Sequence, residues 1–333
     1  MPKKVFVYLL GITFAGSFLL GAWFLSCEKF MDNTVVSIDF KIERGESFSS
    51  FFNKFFKYLD TPVFFKHFLV KVEHFDKKMR YGHYVFDNRT VRDVLNAVAK
   101  GYTHRVKITV PEGLNIYEIA KRIHNAGVCD YEVFLSSAKD EKLVKKITGF
   151  EASNFEGFLY PETYYFKENE SPETIMSVFY KEFLKNIPDE FEQKLATRGL
   201  TFYEGVILAS IVQKESYELE EMKLIASVFY NRMKKRMRLE TDPSVIYGVY
   251  NSFDGNLKKK DLSDDGNPYN TYRIRGLPPT PISNPHKNAL IAVIDPAETN
   301  YLYFVADGNG KHIFSESYSA HNINVYNYQI KKR

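Results

Sequence analysis

The sequence predicts an α+β protein that begins with a single N-terminal transmembrane helix. Two further patterns carry this prediction beyond the apolar N-terminus. A succession of strand, glycine, capping residue and helix occurs twice, at 40–55 and 108–123. A helix then begins near Thr201, and loops rich in proline, glycine and aromatic residues follow it as far as residue 285. With 333 residues, 44% of them hydrophobic, the chain is long enough for two globular domains.

The N-terminal segment has the composition of a membrane anchor. Val5 to Ser26 contains no charged residue, and at about 1.5 Å per helical residue it covers the roughly 30 Å of bilayer hydrocarbon. Lys3 and Lys4 precede it, so the positive-inside rule places the N-terminus in the cytoplasm. A cleaved signal peptide is the alternative, but the run is long for one and lacks an A-x-A-like cleavage site. We therefore expect a single-pass protein of the cell (inner) membrane, with its bulk extracytoplasmic and a short linker from Phe30 to Val36.

The internal repeat predicts two strand–turn–helix units. In the first copy a strand near Phe40 reaches Gly45 and then Ser47, which can cap a helix. Gly113 and Asn115 hold the same places in the second copy. Each copy therefore predicts a helix that follows a capping residue two positions after the glycine.

The first copy continues into a second helix near 61–72 and a strand at 82–86. This βααβ order resembles a LysM module, which implies a glycan-binding shape. The alternative is that strand, glycine, cap and helix is simply a common local arrangement. We expect the anchor at 1–30, the LysM-like module at 37–104 and a second, α+β domain at 105–333.

A carboxylate continues the apolar stripe of the helix that begins at Thr201. Thr201 and Glu204 have the spacing of a capping box. The stripe at helical spacing consists of Leu208, Ile211, Val212 and Glu215. A carboxyl group held against apolar surface has a raised pKa and can act as a general acid near neutral pH. The alternative is that Glu215 ends the buried stripe with its carboxylate in water.

Several motifs resemble the membrane-anchored endolytic murein transglycosylases, the YceG-like family. They span the C-terminal two-thirds of the chain in the family's order: E-G-F-L-Y-P-E-T-Y at 156–164, A-S-I-V-Q-K-E at 209–215, S-V-F-Y-N-R at 227–232, T-D-P-S-V-I-Y-G at 241–248, Y-N-T-Y at 269–272, G-L-P-P-T-P-I-S-N-P at 276–285, Y-L-Y-F-V-A-D at 301–307 and H-N at 321–322. This order implies an α+β catalytic domain of the YceG-like type.

The resemblance implies a lytic transglycosylase whose general acid and base is Glu215. Family members carry E-K-E where this chain has Gln213-Lys214-Glu215, so only the second acidic position remains. Such an enzyme cleaves the MurNAc-GlcNAc β-1,4 bond within nascent glycan strands and leaves a 1,6-anhydro-MurNAc end. The implied partners are peptidoglycan strands and the cytoplasmic membrane, with peptidoglycan synthases as candidates.

Further polar and aromatic residues in the motifs are candidates for substrate binding. They are Glu162, Asp242, Tyr247, Tyr269, Asn270 and Thr271. Tyrosine rings offer stacking faces, while amide and hydroxyl groups match the acetamido and hydroxyl groups of the sugars. Glu162 could instead bond a loop amide, and Asp242, before Pro243, could cap a turn.

Composition disfavours several other functions. A net charge of +4 without a concentrated basic surface argues against nucleic acid. The histidines lack H-x-x-H or E-x-x-H partners, so neither a metal nor another cofactor is expected. Two cysteines, Cys27 and Cys129, cannot build a disulfide framework. Two alternatives stay open: a hydrolytic muramidase that uses two carboxylates, and a catalytically silent glycan-binding anchor.

Overall fold

The computed structural model describes residues 3–57 and 59–331. It divides the chain into two compact units, residues 1–105, called unit 1, and residues 106–333, called unit 2. The side chains of residues 3–10 lie outside the described ones, and these include Lys3 and Lys4, on which the predicted orientation depends.

Unit 1 combines one long helix with a two-stranded antiparallel sheet and short helices. Its elements are α1 (Lys3–Asn33), β1 (Val35–Ile42), α2 (Phe48–Phe55), α3 (Phe65–Lys71), α4 (Phe75–Lys78), β2 (Gly82–Thr90) and α5 (Val91–Lys100). The two strands pair with each other, Val35 opposite Thr90 and Ile42 opposite Gly82. The predicted order of strand, two helices and strand is therefore present, with the single turn α4 added before β2.

One described helix is long and apolar enough to cross a membrane, Gly11–Asn33 within α1. Its last turns belong to unit 1, because Cys27 and Met31 are buried in the aromatic core of that unit. Arg92 of α5 also pairs with Glu28 and Asp32. These contacts extend the helix to Asn33, and β1 begins at Val35. The linker predicted from Phe30 to Val36 is therefore wrong.

Unit 2 is mostly helical, with two further antiparallel strand pairs. Its elements are β3 (Val106–Thr109), α6 (Ile116–Asn125), α7 (Tyr131–Ala138), α8 (Glu141–Thr148), β4 (Thr163–Phe166), α9 (Pro172–Asn186), α10 (Phe191–Thr197), α11 (Phe202–Glu215), α12 (Leu219–Lys234), α13 (Asp242–Gly248), a 3₁₀ turn (Tyr250–Ser252), α14 (Lys259–Leu262), α15 (Lys287–Ile294), β5 (Tyr303–Ala306), β6 (His312–Ser315), α16 (Tyr318–Val325) and a π-helical turn (Tyr326–Ile330). β3 pairs with β4, and β5 with β6.

The predicted helix starts in both repeat copies are confirmed. Ser47 caps α2 by accepting a hydrogen bond from the Ser50 N–H. Asn115 caps α6 and forms a full capping box with Glu118. The glycine turns before them have φ of +83° at Gly45 and +76° at Gly113, the left-handed region that glycine adopts without a Cβ penalty.

The helix that carries Glu215 lies in the middle of unit 2. The predicted capping box of Thr201 and Glu204 is present at its start. α11 packs against α10, α12 and α15, so every residue from Gly205 to Gln213 is buried. A helix that is apolar on all sides is held by packing rather than by one face. Glu215 is its last residue and the first acidic group after this buried stretch.

Candidate active site

Glu215 lies at the C-terminal end of α11, partly exposed. Thr241 Oγ1 donates a hydrogen bond to Glu215 Oε1 at 2.7 Å. Burial among protein atoms raises the pKa of Glu215 to about 7, while the Thr241 bond lowers it and the negative charge of Asp242 raises it. The C-terminal end of a helix also disfavours a negative charge. Glu215 can therefore hold a proton near neutral pH and still reach solvent.

Thr241 is held in place by the next loop. Its N–H donates to Thr271 Oγ1 at 3.0 Å, and Thr271 Oγ1 also pairs with Ser244 Oγ at 2.9 Å. Asn270 fixes that loop, since its amide nitrogen donates to the carbonyls of Asp261, Leu262 and Asp264. Both Asn270 and Thr271 are fully buried. The hydrogen bonds of these two predicted binding residues therefore organise the loop that presents the Thr241 hydroxyl.

Arg232 of α12 supports the same segment from the other side. Its guanidinium donates to the carbonyls of Leu302, Arg238 and Leu239 and pairs with the Glu240 carboxylate at 3.1 Å. Arginine suits this role because its planar group carries five donors in a fixed arrangement. The sequence motif at 227–232 contains this residue, but its contacts could not be read from spacing.

Asp242 is the first residue of α13, where the helix dipole favours a carboxylate. It is exposed, and the Tyr272 hydroxyl donates to its Oδ1 at 2.7 Å. The helix cap itself is Thr241. Asp242 is thus close enough to Glu215 to influence its proton affinity.

Glu162 lies elsewhere on unit 2, at the start of β4. Its side chain is exposed and its Oε1 accepts a hydrogen bond from the Thr163 N–H at 2.7 Å. The described contacts join it to neither Glu215 nor Asp242. The structure therefore brings Glu215 and Asp242 together and leaves Glu162 outside this pair.

A cavity of about 570 Å³ opens beside the residues that adjoin Glu215 and Asp242 in the chain, a size typical of ligand sites. Its lining includes Tyr131, Tyr247, Tyr250, Lys121, Lys214 and Pro243. The aromatic rings continue beneath it, with Tyr247 and Tyr269 at 4.9 Å between centroids and Tyr117 stacked on Tyr250 at 4.6 Å. The predicted stacking residues Tyr247 and Tyr269 therefore belong to one aromatic cluster.

A second acid with a raised pKa, Glu156, is fully buried against that cluster. Its Oε2 accepts from the Ile116 N–H at 3.0 Å, its Oε1 accepts from Asn284 Nδ2 at 2.7 Å, and the Tyr247 hydroxyl interacts with the same group. Burial raises the pKa of Glu156 to about 8, although the Ile116 and Tyr247 contacts lower it. The adjacent Gly157, at φ +88°, leaves room for Pro281, whose Cγ would lie 2.6 Å from an added Cβ.

Within the part of the chain that the structure describes, no group of three or more His, Cys, Asp or Glu side chains could hold a metal ion. Both cysteines are free and buried.

The fold and site together define an α+β protein in which one solvent-reaching acid ends a buried helix beside an aromatic cavity. The chain belongs to the YceG-like family, whose pattern matches residues 40–327.

Two similar proteins are named endolytic murein transglycosylase. An endolytic murein transglycosylase of Bacillus subtilis (strain 168) is 32% identical over 244 residues, which cover 68% of this chain and 66% of that protein. One of Streptococcus pneumoniae serotype 2 is 27% identical over 277 residues, or 74% of this chain and 50% of that protein. The chain thus spans between half and two thirds of these relatives.

A crystal structure of a putative YceG-like protein from Listeria monocytogenes has a related fold. It matches with a TM-score of 0.59 and 30% sequence identity, and the match covers 87% of this chain and 99% of that one.

Proposed function

We propose that this chain is a membrane-anchored endolytic peptidoglycan transglycosylase in which Glu215 is the general acid and base. The observation that carries the proposal is the Glu215 carboxyl group, with a pKa of about 7 and partial access to solvent beside the aromatic cavity. Similarity to relatives named endolytic murein transglycosylase supports the substrate class. The apolar helix Gly11–Asn33 supports the anchor.

In the proposed reaction, protonated Glu215 donates its proton to the glycosidic oxygen between MurNAc and GlcNAc. The C1–O bond breaks, and GlcNAc leaves with a free hydroxyl group. The Glu215 carboxylate then takes the proton of the muramyl C6 hydroxyl while that oxygen bonds to C1. The new end is a 1,6-anhydro-MurNAc, Glu215 is again protonated, and no water is consumed. A pKa near 7 suits a group that must both give and take a proton near neutral pH.

The binding residues divide into two roles in this proposal. Tyr247 provides aromatic surface for a sugar ring at the cavity, and Tyr269 packs edge-on against Tyr247. Asn270 and Thr271 act indirectly, by holding Thr241 against Glu215. Unit 1 keeps the LysM-like assignment as a proposal, motivated by its order of strand, helices and strand.

One observation favours a second candidate, a two-carboxylate hydrolase. Asp242 lies near enough to raise the pKa of Glu215, and glycosidases commonly place two carboxyl groups on either side of the bond. In that reaction Asp242 would act as nucleophile or base and water would enter the product.

Mass analysis of the products separates the two reactions. The full chain, reconstituted in lipid vesicles, is incubated with purified glycan strands and the new ends are measured. An anhydro end is lighter by one water than a hydrolysed end, and in water labelled with heavy oxygen it carries no label. New ends that take up the label would reject the lyase mechanism in favour of hydrolysis. Absence of new ends from wild-type protein would reject both.

A further inference from the structure

Unit 1 exposes an apolar tip beside α1. Val63 and Phe64 are 72% and 68% exposed, in the loop just before α3. Phe64 also has φ of +58°, a backbone conformation that residues other than glycine rarely adopt. The turn before α3 therefore holds two large apolar side chains out into the medium.

Trp23 fixes the position of this tip along α1. Trp23 Nε1 donates a hydrogen bond to the Val63 carbonyl at 2.8 Å. The rings of Trp23 and Phe24 contact Phe68 of α3, with centroids 5.9 and 5.5 Å apart. The tip, Trp23 and Phe24 therefore lie at one level of the long helix.

That level corresponds to the outer boundary of a bilayer that α1 would cross. The last turns of the apolar helix Gly11–Asn33 belong to unit 1, since Cys27 and Met31 are buried in its core, so the part of α1 left to a bilayer precedes them. Val5 to Trp23 is a continuous part of α1, and 19 residues at about 1.5 Å each extend about 28 Å. The hydrocarbon core of a bilayer is roughly 30 Å thick. Tryptophan is enriched at this boundary because its ring is apolar while its N–H needs a polar partner, and here the Val63 carbonyl is that partner.

We propose that the tip, Val63 and Phe64, inserts into the outer boundary of the bilayer that α1 crosses. The proposal rests on the proposed membrane anchoring of α1 and adds a second point of attachment. Burial of apolar surface that the protein itself leaves uncovered provides the driving force. Because the tip lies on one side of α1, its insertion fixes the rotation of unit 1 about the helix axis.

The groove beside the tip offers no charge with which to hold an anionic head group. This groove, of about 630 Å³ between α1 and the 60–63 loop, is lined by one cation and one anion, Lys29 and Asp60, together with uncharged side chains. Lysines flank the tip in the chain, at Lys57 and Lys66, so anionic lipid can strengthen the attachment. Insertion driven by apolar burial should nevertheless occur in zwitterionic membranes.

The test exploits the fact that Trp23 is the only tryptophan of the chain. Full-length protein is reconstituted in phosphatidylcholine vesicles whose lipids are brominated close to the head group, and tryptophan emission is measured. Wild-type Trp23 reports the anchor. The variant Phe64→Trp, made in a Trp23→Phe background, reports the tip. We expect its emission to be blue-shifted. We also expect the brominated lipid to quench more than about half of that emission, as for a ring at the membrane boundary.

Tyr102→Trp in the same background is the matched control. Tyr102 is also exposed, but it lies outside the tip, and the next residue, Thr103, packs against Gly82 at the end of the sheet opposite Val35. Its emission should be red-shifted and insensitive to brominated lipid. A second pair keeps the Trp23 bond: Phe64→Cys and Tyr102→Cys labelled with an environment-sensitive dye, since native Cys27 and Cys129 are buried.

The outcomes separate the tip from the anchor. Quenching of both wild-type Trp23 and the residue-64 probes, with unquenched residue-102 probes, supports the proposal. Quenched Trp23 with water-exposed probes at 64 overturns the tip insertion and leaves the anchor in place. Unquenched Trp23 overturns the anchor and the insertion together. Quenching at 64 that occurs only with anionic lipid would also overturn the proposal, because it would require head-group attraction.

Discussion

Glu215 and Glu156 are two acids of one unit with raised pKa values and different surroundings. Both have a raised pKa because protein atoms displace water from the charged form. Glu156 is fully buried and bonded to the backbone of α6 and to Asn284. Glu215 has one described side-chain donor, Thr241, and partial access to solvent. A raised pKa therefore does not by itself point to a catalytic acid; Glu215 differs from Glu156 because it reaches solvent, next to two chain neighbours of the acid pair, Lys214 and Pro243, that line the cavity.

The difference also separates stability from turnover. Glu156 bonds Ile116 and Asn284, which lie 40 and 128 positions from it in the chain. Replacing Glu156 should therefore lower the free energy of unfolding. Glu215 is the last residue of α11 and follows the buried stretch of that helix. Replacing Glu215 should therefore lower turnover and leave the free energy of unfolding nearly unchanged. Substitutions at the two residues should therefore separate an effect on the reaction from an effect on the fold.

The largest effect is expected from Glu215→Gln. Glutamine is nearly isosteric and can still accept the Thr241 hydrogen bond, but it cannot transfer the catalytic proton. Turnover of glycan strands should fall by about 10²-fold or more, while the thermal unfolding midpoint stays close to that of wild type. Release of new glycan ends, followed by mass analysis, gives the rate.

Glu220→Gln is the matched control for that variant. Glu220 lies five residues further along, with a side chain that is 85% exposed, so the same chemical change should leave turnover unaltered. If a folded Glu215→Gln protein retains activity within a few-fold of wild type, Glu215 is not the general acid.

Glu156→Gln should show the reverse pattern. Its amide nitrogen would face either the Ile116 N–H or the Asn284 amide, both donors. One buried donor then lacks an acceptor, which costs about 1–3 kcal/mol of unfolding free energy. We expect turnover per folded molecule to remain within about tenfold of wild type, because no proton transfer is lost. Denaturant unfolding and activity are measured on the same preparation.

The pH dependence of stability tests the same residue. The pKa of Glu156 rises from 4.5 to about 8 on folding, so the folded state binds more protons than the unfolded state between these values. Its stabilising contribution is therefore complete below pH 4.5 and is lost as pH rises toward 8, with a slope of up to about 1.4 kcal/mol per pH unit. Glu156→Gln should make that slope shallower, and an unchanged slope would contradict the assigned burial of the acid.

Local sequence signals predicted where helices begin, but they did not predict the surroundings of Glu215 and Glu156. The capping boxes at Thr201 and Asn115 were predictable because the partners lie three residues apart. The Asn284 bond to Glu156 and the Thr241 bond to Glu215 join residues 128 and 26 positions apart. The motif order identified the segments that contain them, while the pairing depends on how the loops pack.

The end of α1 is a case in which a local sequence signal gave the wrong position. A charged stretch after Ser26 predicted that the helix would end near Phe30. Cys27 and Met31, however, face the aromatic core of unit 1, and Glu28 and Asp32 pair with Arg92 of α5. Tertiary contacts therefore carry the helix to Asn33, which a local reading of charge could not reveal.

A smaller effect is expected from Glu162→Gln. Glu162 is exposed and bonds the Thr163 N–H, a bond that the glutamine oxygen can also accept. We expect turnover to fall by no more than a few-fold, far less than for Glu215→Gln. Equal and complete loss from both changes, together with uptake of labelled water by wild type, would instead support a two-carboxylate reaction that involves Glu162.

The smallest effect is expected in the pH profile of turnover, where substitutions of Thr241 and Asp242 should shift the profile in opposite directions. These shifts test most directly how the neighbours of Glu215 set its pKa. Glu215 must be protonated to act as an acid, so activity should fall as pH rises through its pKa of about 7. Thr241 lowers that pKa by donating to the carboxylate, and Asp242 raises it by its charge. Thr241→Val should therefore move the fall to higher pH, and Asp242→Asn should move it to lower pH.

Each shift should be less than about one pH unit, because one hydrogen bond or one exposed charge changes while the burial of Glu215 remains. Both variants conserve shape: valine replaces a methyl-bearing side chain, and asparagine can still accept from the Tyr272 hydroxyl. Glu316→Gln, which removes an exposed charge at a position with no described contact to Glu215, is the control and should leave the profile in place. Shifts of the same sign in the two test variants would show that the falling limb belongs to a different group, because the two influences on Glu215 have opposite signs.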